Sequence, residues 1–170
     1  MRFDTGWSHN KDNPAISGSF RANARAASRW RAVFVALGGA VVSMDILIVE
    51  DETAILESLE FILRRCGWSV GSVRDGEAAL EAARRFRPRL LLLDIMLPKR
   101  GGLDVLKLVR ADETLRATSV IILTARGQEY DRQAALDLKA DGFITKPYAN
   151  DDVVSAVRRV LDAQSAAYHA

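Results

Sequence analysis

Leu90-Leu91-Leu92-Leu93-Asp94 is an unbroken apolar run closed by an acid. Such a run, bounded by turn signals, describes a strand covered on both faces, the kind that parallel sheets bury. Working outward, Ile46–Val49 and Val120–Leu123 are continuous apolar runs of the same kind, Ser69–Val73 alternates, and Gly142–Ile144 is short. Stretches of helical period separate them. In the first, Ile55, Leu59, Ile62, Leu63 and Cys66 fall on one face, and Gly67 supplies a left-handed stop. A second helix is expected from Gly76 to Phe86, ending before Pro88, a third over Leu103–Ala111 and a fourth over Gln128–Leu138. The last carries Val153, Val157, Val160 and Leu161 on one face, with Asn150 as its cap and Asp151 and Asp152 in its positive first turn. Strands alternating with helices predict an α/β fold: five parallel strands, doubly wound, with helices on both faces.

Length and composition fit this. At 170 residues the chain holds one ordinary domain and an appendage, and 49% hydrophobic against 27% charged residues is a globular balance. Residues 1–43 carry six Lys/Arg against two Asp, leaving 18 Lys/Arg against 20 Asp/Glu for the rest. A body of that balance lacks the clustered basic charge that binds phosphate backbones, so no direct DNA binding is expected of it. A single cysteine, Cys66, excludes an internal disulfide and any multi-cysteine metal site, and it reads as a small buried helix residue. His9 and His169 lie near the termini and need no functional role.

Residues 1–31 show no sustained period before the apolar run Ala32–Val42. The run fits the apolar region of a signal peptide but is shorter than the roughly 20 residues of a membrane helix. Because the first core strand follows at once, residues 1–43 are read as a disordered N-terminal extension, 44–164 as the domain and 165–170 as a short tail, with no membrane association.

In an open parallel sheet, ligands bind beyond the carboxyl ends of the strands. Glu50 and Asp51 end the first strand, Asp94 the third, Thr124-Ala125 the fourth, and the fifth runs into Lys146-Pro147. An acid at a strand end is commonly a cap or a solvated loop residue, and Glu50 or Asp51 alone would be read that way. Their convergence with Asp94, which surfaces from a buried strand, shifts the weight. Carboxylates held together repel unless a cation neutralises them. An oxygen-only donor set without His or Cys suits Mg²⁺ rather than zinc. A carboxylate beside Mg²⁺, with a hydroxyl and an ammonium nearby, is equipped to receive a phosphoryl group.

These residues resemble the receiver domain of two-component response regulators, over about Asp45 to Leu161. The likeness rests on Asp45-Ile46-Leu47-Ile48-Val49-Glu50-Asp51-Glu52, on Leu91-Leu92-Leu93-Asp94-Ile95-Met96-Leu97-Pro98, on Ile122-Leu123-Thr124-Ala125 and on Phe143-Ile144-Thr145-Lys146-Pro147. The resemblance implies a flavodoxin-like fold with Asp94 as phosphoacceptor. It implies Mg²⁺ held by Glu50, Asp51, Asp94 and the backbone carbonyl of Met96, with Lys146 on the phosphoryl oxygens. It also implies a switch pair, Thr124 and Phe143, although Phe143 alone would read as plain core. The Lys146–Pro147 bond is expected cis, an isomer that proline makes accessible. Two departures stand out. Lys139 occupies a usual glycine position, where a left-handed backbone would cost about 1 kcal/mol, so the fourth helix is expected to end differently. Gly101 replaces a usual Asp and should loosen its loop.

The functional expectation is a stand-alone cytoplasmic receiver, phosphorylated by a histidine kinase or a phosphotransfer protein, with no catalysis beyond its own phosphorylation and dephosphorylation. Output is expected through the fourth helix, fifth strand and fifth helix to an effector protein, with phosphorylation-dependent dimerisation a further expectation. A hydrolase of the haloacid dehalogenase type would want a second Asp where Met96 stands. A receiver-like module that never accepts phosphate fits poorly with intact Asp94, Thr124 and Lys146.

Overall fold

The computed structural model describes residues 44–125 and 129–168. The extension expected over residues 1–43, and the start of a helix at Gln128, lie outside the described residues. Five strands, β1 (Ile46–Val49), β2 (Val70–Val73), β3 (Leu90–Asp94), β4 (Ser119–Ala125) and β5 (Gly142–Lys146), alternate with α1 (Thr53–Arg65), α2 (Gly76–Phe86), α3 (Gly102–Ala111), α4 (Glu129–Asp137) and α5 (Asn150–Tyr168). All strand pairs are parallel, in the order β2-β1-β3-β4-β5. That is the doubly wound flavodoxin-like order, whose reversal point lies between β1 and β3.

Every residue of β1 and β3 is buried, as strands covered on both faces require. Ile46, Ile48, Leu90, Leu92, Ile121, Leu123 and Ile144 pack on α1 and α5 through Leu59, Leu63, Val153, Val157 and Leu161. The alternate residues face the layer of α2, α3 and α4, where Ala79, Ala83, Val105, Leu106 and Val109 are buried. Among the described residues, no helix is long and apolar enough to cross a membrane.

Several local expectations are corrected. The buried stripe of α1 is Leu56, Leu59 and Leu63, flanked by half-buried Ile55 and Ile62. Cys66 is exposed rather than buried: it is the C-cap residue, one past the last helical turn, and Gly67 at φ 93° then turns the chain away. Asn150 is not the cap of α5 but its first residue. The carbonyl of Ala149 accepts the first helical bonds, and the carboxylate of Asp152 accepts the Ala149 N–H at 3.1 Å. The helix also continues through Tyr168, so the expected tail begins inside it.

Lys139 keeps the left-handed backbone, at φ 60°, so α4 does not end differently. The turn closes with the N–H of Lys139 on the Leu136 carbonyl at 2.8 Å and that of Ala140 on the Ala135 carbonyl at 2.9 Å. Arg110 holds it from outside, donating to the Lys139 carbonyl at 2.9 Å and to the Asp141 carboxylate at 2.9 Å.

Candidate functional site

Parallel pairing brings the carboxyl ends of β1, β3 and β5 to one edge. Val49 pairs with Leu93, so Glu50 and Asp94 emerge side by side where the sheet order reverses. Carboxylate oxygens of Glu50, Asp51 and Asp94 lie within 4.8 Å of one another. Glu50 is 1% exposed and Asp94 5%, whereas Asp51 faces solvent.

Lys146 answers this concentration of negative charge. Its Nζ donates to Glu50 Oε2 at 2.7 Å and to Asp94 Oδ2 at 2.5 Å. The other carboxylate oxygens are taken by the backbone: Glu50 Oε1 accepts the Glu52 N–H at 3.2 Å and Asp94 Oδ1 the Met96 N–H at 3.1 Å. Burial raises the Glu50 carboxyl above its ordinary pKa and the Asp94 charge adds to this, against the pull of Lys146. For Lys146, burial favours loss of the proton, but the hydrogen bonds to Asp94 and Glu50 outweigh it and its pKa is raised. The Lys146–Pro147 bond is cis.

Met96 projects its side chain into solvent, 64% exposed, so only its backbone is available to the site. Thr124 is buried at the end of β4, its Oγ1 donating to the Ala125 carbonyl at 3.3 Å. Phe143 pairs with Ile122, two residues before Thr124, so Thr124 and Phe143 share the sheet face toward α4. Half-buried Phe143 carries the Arg132 guanidinium 5.8 Å from its ring centroid.

The loop after Asp94 is fastened at both ends. The N–H of Gly102 donates to the Ile95 carbonyl at 2.9 Å, and a Cβ on Gly102 would stand 2.1 Å from the Asp94 carbonyl oxygen. Glycine there lets α3 start directly against the backbone of the acceptor strand. Opposite, a Cβ on Gly76 would come within 2.2 Å of the Arg100 carbonyl oxygen. Lys99, left-handed at φ 65°, donates to Asp75 Oδ2 at 2.8 Å, while Asp75 Oδ1 caps α2 through the N–H groups of Glu77 and Ala78. The loosening expected from Gly101 is thus opposed by contacts on either side of it.

Glu50, Asp51, Asp94 and Lys146 stand together with the Met96 N–H on Asp94, and Thr124 lies at the same edge of the sheet, one residue past Leu123, the pairing partner of Asp94. The Asp75–Lys99 link was missed, since nothing local couples an aspartate to a lysine 24 residues away. Tyr148 was missed as well, since nothing in the sequence pattern marks its hydroxyl. The set of oxygen donors, with no imidazole or thiolate, fits a hard divalent cation.

Comparison with known proteins agrees with this geometry. The family model for the response regulator receiver domain matches residues 46–158. The transcriptional regulatory protein DltR of Streptococcus agalactiae is 46% identical over 115 residues, covering 68% of this chain and 50% of that protein. The alkaline phosphatase synthesis transcriptional regulatory protein PhoP of Bacillus subtilis is 38% identical over 116 residues, covering 68% and 48%. The chain thus spans about half the length of the curated relatives it matches. Among solved structures, the receiver domain of the sensor histidine kinase PA1611 from Pseudomonas aeruginosa superposes with a TM-score of 0.65 at 30% identity, covering 71% of this chain and 98% of that one. That structure is described with a magnesium ion coordinated in its active-site cleft. On fold, site and family match together, the chain belongs to the response regulator receiver domain family of two-component systems.

Proposed function

We propose that Asp94 accepts a phosphoryl group from the phosphohistidine of a histidine kinase or phosphotransfer protein, in the cytoplasm, and that the phosphorylated receiver signals through protein contacts. One observation carries the reading: the nearly buried Asp94 carboxylate is held between the Met96 N–H and the Lys146 ammonium, inside a cluster with Glu50 and Asp51. An Asp94 oxygen attacks phosphorus, the P–N bond to the donor imidazole breaks, and its electron pair leaves with the imidazole nitrogen. Lys146, already on Asp94 Oδ2, turns to a phosphoryl oxygen, and the Thr124 hydroxyl donates to another. Glu50, Asp51, Asp94 and the Met96 carbonyl would hold Mg²⁺, which when bound supplies positive charge against the carboxylates and phosphoryl oxygens.

The new charge, roughly 1.5 to 2 units, favours the arrangement in which Thr124 and Lys146 satisfy it. As Thr124 turns toward the phosphoryl group, Phe143 on the same face moves into the space vacated, and the surface of α4, β5 and α5 changes. That surface would meet the effector protein or a second phosphorylated copy. Catalysis would be confined to the protein's own phosphorylation and the hydrolysis of its acyl phosphate. Relatives described as transcriptional regulators leave the expectation of no DNA contact supported only by the charge balance of residues 44–170.

Incubation with Mg²⁺ and a small-molecule phosphodonor should add the mass of one phosphoryl group, read by intact mass spectrometry, and Asp94→Asn should abolish the gain. No gain in the wild type, or an undiminished gain in the variant, sinks the proposal.

A further inference from the structure

Tyr148 follows Lys146 and Pro147, and its ring packs against the apolar cluster between the sheet and helices α1 and α5. A phenylalanine would serve that packing. The hydroxyl instead lies buried without a hydrogen-bond partner, one of two such side-chain atoms among the described residues, the other being Arg100 Nε. A buried O–H left unpaired is destabilising, and a native structure that keeps one calls for a state in which it is paired. The charges that act on this hydroxyl are those of the site: Lys146, Glu50, Asp94 and Glu52. Burial pushes it up to about 12, so near neutral pH it keeps its proton and has an O–H to donate.

In the resting site every buried acceptor is served. Lys146 occupies one oxygen each of Glu50 and Asp94, and the N–H groups of Glu52 and Met96 occupy the others. Phosphorylation changes this. Once Lys146 is drawn toward a phosphoryl oxygen, its hold on Glu50 Oε2 weakens, and at 1% exposure Glu50 has little access to bulk water as a replacement. Asp94 is by then esterified, and Glu52 is exposed and hydrated. Mg²⁺ would take only part of the lone pairs of Glu50, which leaves room for a further donor, and Tyr148 holds a buried donor to spare. Carboxylates that serve a metal are commonly steadied by a hydrogen bond of this kind.

We propose that the Tyr148 hydroxyl is a positioning group, donating to Glu50 when the phosphoryl group draws Lys146 away. The proposal rests on the phosphoryl-acceptor reading given above. The test uses Tyr148→Phe on the full chain, with beryllium fluoride and Mg²⁺ as the acyl-phosphate mimic. Without ligand, the variant should melt higher, by about 3 °C or more, because an unpaired hydroxyl is gone. Its affinity for beryllium fluoride, by isothermal titration calorimetry, should fall about tenfold, the worth of a hydrogen bond to a charged group. In a Glu50→Gln background the same substitution should cost much less affinity. An unchanged affinity overturns the proposal, and so does a lowered melting temperature without ligand, which would show the hydroxyl already paired at rest. A wild type that takes no beryllium fluoride removes the phosphoryl-acceptor reading itself; a wild type that takes it with a variant that takes it equally well removes only the role of Tyr148.

Discussion

Lys146 is the residue on which the resting site balances. It stands between two carboxylates that would otherwise repel in a buried setting, and it occupies ground that a metal ion would also neutralise. Replacing it by methionine should lower stability without metal by about 1–3 kcal/mol, less than for a fully buried pair because Lys146 is partly exposed. Mg²⁺ should recover much of that loss and bind more tightly than to the wild type, as chemical denaturation with and without the ion would reveal. Glu50 adds a pH dependence. Its carboxyl is raised above the ordinary 4.5, so protons compete with metal at higher pH than for a solvated glutamate. Titrations of Mg²⁺ at descending pH should show affinity falling before the value 4.5 is reached, and Glu50→Gln should flatten that fall. The acids, Thr124 and Lys146 were legible because each is a polar residue where an apolar strand ends, a position the one-dimensional pattern marks. Tyr148 was not legible, because the only unusual thing about it is a hydroxyl whose partner is missing, and that needs the packed structure to see.

Elements place these residues, and two backbone positions test how tightly. Gly102→Ala puts a methyl group 2.1 Å from the Asp94 carbonyl oxygen, a rigid backbone neighbour, so α3 must move away from the acceptor strand. A loss of roughly 1–3 kcal/mol is expected by analogy with overpacked cores, together with slower phosphorylation, measured by denaturation and by mass gain over time. Lys139→Gly should act in the opposite sense. The left-handed backbone at φ 60° is retained there despite the side chain, and glycine should relieve about 0.5–1 kcal/mol without changing phosphorylation. A loss of stability instead would show that the lysine side chain contributes more than its backbone costs. The existence and order of the elements followed from periodicity, but their ends did not. Cys66 fitted the apolar face by spacing yet falls one residue beyond the last turn, and Asn150, a good cap by type, is displaced because Asp152 reaches back to Ala149.

Across the whole molecule, charge is spent on fastening loops. Arg89 ties Asp45 at the start of β1 to the Leu161 carbonyl and the Ser165 hydroxyl in α5, and Arg84 meets Asp112 across α2 and α3. Asp45, Asp75 and Asp112 are all held below the ordinary carboxylate value of 3.8. For Asp45 and Asp75, hydrogen bonds overcome the opposing effect of burial; for Asp112, the Thr114 hydroxyl and Arg84 take it to about 2. Their contribution is therefore present above about pH 4 and lost as pH falls toward 2. Lys146, raised above 10.5, contributes below that value and loses its contribution as pH rises through its folded pKa. Stability measured by denaturant at a series of pH values should form a plateau bounded by these two limbs, and Asp112→Asn should shrink the acid limb. The chain positions of the site's charges have one more effect. Glu50 lies 96 residues before Lys146, and Asp94 lies 52 before it, so the ammonium reaches the two carboxylates only after the last strand has paired. A chain cut before β5 would keep Thr124 but lack the ammonium that balances Glu50 and Asp94. The charge balance at the strand ends is thus completed only by β5, the last strand in chain order.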